Sequence, residues 1–403
     1  VSTIGLIALS SYLVILATKF VLARRYAATH PEHATLDAPI TILQPILGGD
    51  PFLEDALRAN LANAPSSALF FWLVDEDDME GRRVTTSIDD PRIRRLLSPP
   101  PRADENPKTA KLQRALEQID TPYFAVLDDD TILEPDHLGR ALAALQSCTL
   151  YTGLPCYLAG ANLWSSLVAH FVNNNSILTY LALLPLAPPL TINGMFYVMR
   201  TDDLRAMNGF APILSKLCDD YALAAQVKQH GGTIRQGITP QFLRTTVPDA
   251  RRYTAIMQRW FLFANVLLRD QPAKVQLLLI PFLGLPPLFF ALSFLSIAGG
   301  VKTTIALAGA LIVRHALLRN LHKTIFELQH PAQPATPDSQ PVSPADRQPP
   351  TANPVQFNPI TSILSELLQP LHWLHACVQH SLRWRTRRIT LGPDGTFSYV
   401  GQD

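Results

Sequence analysis

The run Tyr123-Phe124-Ala125-Val126-Leu127 passes without a break into Asp128-Asp129-Asp130. Five apolar or aromatic residues read as a buried strand whose C-terminal end delivers acids to a cleft, the place where open α/β sheets bind ligands. Three like charges at one strand end repel one another, and a divalent cation with oxygen ligands relieves that repulsion. An isolated Asp run can equally cap a helix or solvate a turn. The choice between these readings rests on the rest of the chain.

Upstream, Ile40 to Leu47 is a β-rich run, followed by Gly48-Gly49-Asp50-Pro51 and a helical pattern through Phe52, Leu53, Ala56, Leu57 and Leu61. A second buried strand, Ala68 to Val74, also runs into acids: Asp75-Glu76-Asp77-Asp78. Carboxylates at two equivalent strand ends are a stronger signal than one. Asn106-Pro107-Lys108 then opens a helical pattern (Leu112, Ala115, Leu116, Ile119) that leads into the central strand. Strands alternating with helices predict an α/β fold with a mostly parallel, Rossmann-like sheet.

Further on, a helix from Leu138 to Leu145 precedes a strand-like Tyr151-Thr152-Gly153-Leu154-Pro155. Leu163 to Ala187 is apolar and aromatic but broken by Asn173-Asn174-Asn175; it reads either as core or as a surface in the lipid headgroup region. Thr191 to Arg200 resumes a strand, and the next helix is expected to be capped by Thr201-Asp202-Asp203 and closed by Gly209. Asp219-Asp220-Tyr221 opens another helix, where acids also suit the helix dipole. Arg251-Arg252-Tyr253 and Gln258-Arg259-Trp260 follow on one helix.

A mean hydropathy of +0.11 with 17% charged residues points to membrane segments. Ile4 to Ala23 is about as long as a bilayer core requires, roughly 20 residues, and Lys19 near its end can snorkel. Arg24-Arg25 follow it, where a cleaved signal peptide would carry charge in front. The positive-inside rule then puts the N-terminus outside and the following domain in the cytoplasm. Val275 to Ala298 and Ile305 to Leu318 are two more candidate spans, with Arg314 and His315 expected to snorkel. Pro331 to Pro354 has the composition of a disordered linker. Ile360 to Val378 reads as an interfacial helix; Arg383, Arg385, Arg387 and Arg388 beside Trp384 suit anionic headgroups or an ordinary solvated tail.

These readings divide the 403 residues into an anchor (1–25), a catalytic domain (38–270), C-terminal membrane helices (275–320), a linker (330–356) and an interfacial helix with basic tail (357–403). A formal net charge of +1 gives no bulk attraction to nucleic acid. Four cysteines without a Cys-x-x-Cys pair suggest neither a zinc site nor a disulfide framework.

Sugar transfer from a nucleotide diphosphate needs a base for the acceptor hydroxyl, a cation for the departing diphosphate and a grip on the nucleotide. An Asp-x-Asp pair holding Mg²⁺ or Mn²⁺ serves the leaving group, a carboxylate at a helix start serves as base, and an Arg fork with a neighbouring Trp holds phosphate and substrate. The order Asp75, Asp128-x-Asp130, Asp220-Tyr221 and Arg259-Trp260, flanked by membrane segments, resembles the family 2 glycosyltransferases of the GT-A fold. Gln44-Pro45, Asn106-Pro107-Lys108, Gly153-Leu154-Pro155 and Arg383-Trp384-Arg385 make the chain most similar to the ceramide glucosyltransferase group, family 21. The hopanoid-lipid glycosyltransferases share this layout.

The resemblance implies that Asp75 contacts the uracil-ribose part of a UDP-sugar, that Asp128 and Asp130 contact nucleotide and metal, and that Asp220 is the base. Lys108, Arg259 and Trp260 join the donor-binding set, with Arg259 and Trp260 closing over donor and acceptor. Two positions depart from the pattern. Ile256 stands where the Arg-Trp motif usually begins with Gln or Arg, and the triple Asp leaves the metal register open by one residue. Alternation along a strand would put Asp128 and Asp130 on one face. The expected activity is inverting transfer of a single sugar, glucose first, to a membrane lipid hydroxyl, ceramide first and a hopanoid polyol or diacylglycerol next. A processive polysaccharide synthase and a non-catalytic nucleotide-sugar-binding membrane protein are the rivals.

Overall fold

Every β-rich run that ends in acids becomes a strand of one sheet. The computed structural model describes residues 1–327 and 357–399, apart from 103, 159, 161, 245, 380, 385, 386, 393 and 394. In chain order the strands of this sheet are β1 (Ile40–Ile46), β2 (Ala68–Asp75), β3 (Ile93–Ser98), β4 (Tyr123–Leu127), β5 (Thr131–Ile132), β6 (Leu150–Tyr157), β7 (Phe196–Arg200) and β8 (Ile234–Leu243), and three short strands, β9 (Ser381–Trp384), β10 (Arg387–Leu391) and β11 (Phe397–Tyr399), form a second. The eight lie in the order β3-β2-β1-β4-β7-β6-β8-β5. The first half is parallel, as the alternating strands and helices predict. The second half is mixed: β7 runs antiparallel to both β4 and β6, and β5 antiparallel to β8.

Both faces of this sheet are covered, which is why its strands read as continuous apolar runs. On β4, Ala125 and Leu127 join one core with Phe70, Trp72 and helix Leu53–Asn63, while Phe124 and Val126 join another with Leu112, Ala115 and Leu223. Pro45 is tolerated in β1 because pairing with β4 ends at Leu43; beyond it β1 pairs only with β2. Gln44 is buried and accepts a hydrogen bond from Trp72 Nε1 at 2.9 Å, a structural use of that motif. Helix Thr201–Ala206 starts without a side-chain cap, contrary to the capping expectation: Thr201 Oγ1 donates instead to the Thr121 carbonyl. Gly209 does close it, at φ +63°, with its N–H on the Leu204 carbonyl.

Among the described residues three helices are long and apolar enough to cross a membrane: Ser2–Thr29, Ala273–Gly299 and Val301–Phe326. The third is longer than its apolar core suggested. The first and third are joined to the sheet, since Ala23, Tyr26, Leu321, Ile325 and Phe326 pack with Leu154, Cys156, Ile238 and Phe242. Tyr26 also donates to the Gln236 carbonyl at 2.8 Å. The 163–187 stretch forms helix Leu163–Asn175 and a π-helical turn, Ser176–Leu181, whose Ile177 and Leu181 enter this same core.

Neither Lys19 nor Arg314 snorkels. Lys19 is buried over the Phe282 ring. Arg314 is buried against Glu366, with Nη2 2.6 Å and Nε 2.9 Å from Oε2, and it also donates to Tyr12 Oη and the Ser362 carbonyl. A charge in an apolar bundle is held where a counter-charge is supplied, and Glu366 supplies it from helix Pro359–Leu367. Glu366→Gln leaves that guanidinium buried without its counter-charge and should destabilise the protein by roughly 3–5 kcal/mol. Thermal unfolding in detergent checks this; an unchanged midpoint would show that the pair contributes nothing. Helix Gln369–Val378 continues the chain, and Ile360, Leu371, Trp373, Leu374 and Val378 along the two helices are exposed apolar residues. The linker at 330–356 and the side chains of Arg383, Arg385, Arg387 and Arg388 lie outside the described residues.

Candidate active site

Parallel pairing of β2, β1 and β4 brings Asp75 and Asp128 to the same edge of the sheet. One helix, Pro107–Leu116, serves both. Asn106 caps it, its Oδ1 accepting from the N–H groups of Lys108 and Thr109, and Pro107 sits in its first turn. Lys108 Nζ lies 2.6 Å from Asp128 Oδ1 and 3.9 Å from Asp219 Oδ2, and donates to the Gly194 carbonyl at 3.0 Å. One turn on, buried Lys111 Nζ lies 3.2 Å from Asp75 Oδ2 and 3.1 Å from the Ile46 carbonyl. Lys111 was not among the residues singled out in the sequence. Its i+3 spacing from Lys108 is the signal that could have found it.

The three acids after β4 do not continue the strand. The Thr131 N–H returns to the Asp128 carbonyl at 3.1 Å, so they form a turn, and the alternation argument for their register does not apply. Asp129 is instead tied back, its Oδ2 accepting from the Leu47 N–H at 2.7 Å. Asp128 is held by Lys108, and Asp130 Oδ1 accepts from Thr131 Oγ1 at 3.4 Å. Burial first, then repulsion from Asp129, Asp128 and Asp50, raises the Asp130 carboxyl well above the usual carboxylate range. Crowded, poorly solvated acids of this kind fit a divalent cation in charge and donor type. Among the described residues no group of three or more metal-donor side chains is assembled.

Asp220 stands in the first turn of helix Asp219–Gln229, across from the acid turn. Burial, reinforced by Asp219, pushes its carboxyl up to about 8. Lys108 is held well above the ordinary lysine range: burial opposes the charge, but Asp128, Asp219 and Asp220 outweigh it. Gly194 packs directly on Asp220; a Cβ there would lie 1.8 Å from Asp220 Oδ1. The Gly153-Leu154-Pro155 motif supports this contact from behind. It makes a bulge in β6 after Thr152, where the Gly153 carbonyl and Thr152 Oγ1 both bond Asn193. We expect Gly194→Ala to lower turnover by about 10²-fold through displacement of Asp220; steady-state kinetics check it.

Arg259 and Trp260 lie on helix Ala250–Arg269. Arg259 Nε is buried without a hydrogen-bond partner, and burial lowers the guanidinium's proton affinity while Tyr157, Asp219 and Asp220 oppose that. An orphaned donor of this type fits a phosphate oxygen. Trp260 stacks on Phe171 at 5.7 Å and meets Tyr157 edge-on. Ile256 packs with Leu167, Val168 and Met257, so the first position of the motif here is a core residue. Tyr180, on the π-helical turn, is pushed up to about 12 by burial and by Asp220. Tyr157 and Tyr180 had no motif around them to mark them.

The profile of glycosyl transferase family 21 matches residues 2–397. No curated protein matches the chain by sequence. Among solved structures, the mannosyltransferase PcManGT from Pyrobaculum calidifontis, in complex with GDP-Man and Mn²⁺, superposes with a TM-score of 0.50 at 17% identity, over 81% of this chain and 99% of that one. The glucosyl-3-phosphoglycerate synthase of Mycobacterium tuberculosis, in complex with Mn²⁺, UDP and phosphoglyceric acid, matches over 59% of this chain and 80% of that one, at 14% identity and a TM-score of 0.36. The first of these likenesses bears on the fold, a mixed sheet of the GT-A type with apolar helices at the N-terminus and near 273–326. With the sheet order, the strand-end acids and a sequence match running almost from end to end, the chain belongs to glycosyl transferase family 21.

Proposed function

We propose that this membrane glycosyltransferase is an inverting hexosyltransferase, moving one sugar, glucose first, from a UDP-sugar to a hydroxyl of a membrane lipid, ceramide first. The observation that carries the reading is Lys108, which links the acid turn to the start of the Asp220 helix, 2.6 Å from Asp128 and 3.9 Å from Asp219. Asp128 and Asp130 would hold Mg²⁺ or Mn²⁺, which when bound neutralises the departing diphosphate. Lys108 fixes Asp128, and Lys111 fixes Asp75 for the uracil-ribose part. Arg259 offers its free Nε to a phosphate oxygen, and Trp260 walls the acceptor side. Asp220 takes the proton of the acceptor hydroxyl as its oxygen attacks the anomeric carbon and the UDP bond breaks. One displacement inverts the centre.

The attachment of the sheet to helices apolar enough to span a bilayer, and the exposed apolar residues of 359–378, support a lipid acceptor. Arg24-Arg25 after the first helix favour a cytoplasmic catalytic domain, in the inner membrane if the source is bacterial. Incubating the purified protein with radiolabelled UDP-Glc, UDP-Gal and UDP-GlcNAc, and with ceramide, hopanoid and diacylglycerol acceptors, tests the reading. EDTA-sensitive label in a lipid extract is the expected result. Label in insoluble polymer would favour a processive synthase, and donor binding with no transfer a non-catalytic binder.

A further inference from the structure

The helix that carries Asp219 and Asp220 does not fix its own start. Its N-cap, Cys218, makes no side-chain hydrogen bond to the first turn, so the aim of Asp220 depends on what holds the residues just before it. Among the described residues, two elements are bonded to them. On one side Asn106 Nδ2 donates to the carbonyls of Lys216 and Leu217, at 3.1 and 3.4 Å. On the other is the far C-terminal part of the chain: the Leu217 N–H donates to the Gly395 carbonyl at 3.0 Å, and Lys216 forms a β-bridge with Thr396. Leu217 is buried in a small core with Leu262, Ala376 and Phe397.

That core joins three parts of the molecule. Leu262 belongs to the helix of Arg259 and Trp260, and Ala376 to helix Gln369–Val378. The latter is bonded to the Arg259 helix through His372 Nε2 and Tyr253 Oη at 3.0 Å. Gly395 has φ +76°, and a Cβ there would meet Val266 Cγ1 at 3.3 Å, so the turn sits close on the Arg259 helix as well.

We propose that the turn Gly395-Thr396-Phe397 is a positioning element of the transfer reaction, aligning Asp220 with Arg259 by holding Leu217 against the Arg259 helix. This rests on the reading of Asp220 as the base. The test uses full-length protein in detergent with UDP-sugar and a lipid acceptor, and compares Phe397→Ala, Phe397→Leu, Gly395→Ala and Asp220→Asn for turnover, UDP affinity and unfolding temperature. Phe397→Ala and Gly395→Ala should lose about 10²-fold in turnover with UDP affinity unchanged, and Phe397→Leu should recover most of the loss. Wild-type turnover in Phe397→Ala beside an inactive Asp220→Asn would overturn the positioning role and leave the base assignment standing. An active Asp220→Asn would remove both. Parallel loss of UDP affinity and unfolding temperature in Phe397→Ala would make the turn a stability element only and also overturn the proposal.

Discussion

Asp220→Asn should abolish proton removal from the acceptor while leaving the donor site intact, lowering turnover by about 10²–10⁴-fold, the usual worth of a general base. The amide is nearly the same size, so Gly194 still packs on it. UDP binding is therefore expected to stay near the wild-type value, and full activity in this variant would refute the assignment. The wild-type pH profile carries the same information. Burial, and then Asp219, raise the Asp220 carboxyl to about 8; below that pH it holds its proton and cannot accept another. kcat/KM, which reports the free enzyme, should thus rise with pH up to and through about 8, and the Asn variant should lack that limb.

The second large effect is expected at the acid turn. Asp130→Ala removes one of the two carboxylates proposed to hold the cation, and should weaken Mn²⁺-dependent UDP binding by at least the roughly 10–100-fold that loss of an outer-shell partner costs. Asp129→Ala is the control, because its carboxylate is engaged by the Leu47 N–H, and its effect should be much the smaller. Titration calorimetry of UDP with and without Mn²⁺ separates the two. Because burial and mutual repulsion raise Asp130, and raise Asp129 to about 7, cation binding must displace protons and should strengthen as pH rises. A larger effect of Asp129→Ala than of Asp130→Ala would reverse the register.

The same raised carboxyls bear on stability. A carboxyl whose folded-state pKa exceeds its unfolded value binds its proton more tightly when folded. The stability that Asp129 and Asp220 lend is therefore present below their unfolded pKa and lost as pH rises through about 7 to 8.

What the sequence made legible was whatever is local. β2 and β4 could be read because apolar runs bounded by acids are contiguous, and Asp220 because a helix start announces itself. Two things were not local. Lys111 meets Asp75 only after β2 and β4 take places on either side of β1, a pairing that periodicity does not specify. Arg314 looked like a residue that would reach for the membrane surface because its partner, Glu366, lies 52 residues on and beyond the Pro-rich stretch. Strand alternation stops at Leu127, where the chain already turns, so it is the Leu47–Asp129 hydrogen bond rather than alternation that sets Asp129 apart from Asp128 and Asp130. The reversal of β7 and the reach of Gly395 to Leu217 belong with Lys111 and Arg314 to the class of long-range facts.

The anomeric configuration of the delivered sugar tests the account most directly. An α-linked UDP-sugar and a lipid acceptor are incubated with the protein, and the purified glycolipid is examined by proton NMR. Direct displacement with Asp220 as base predicts a β-linked product. An α-linked product would contradict the single-displacement mechanism and the role given to Asp220.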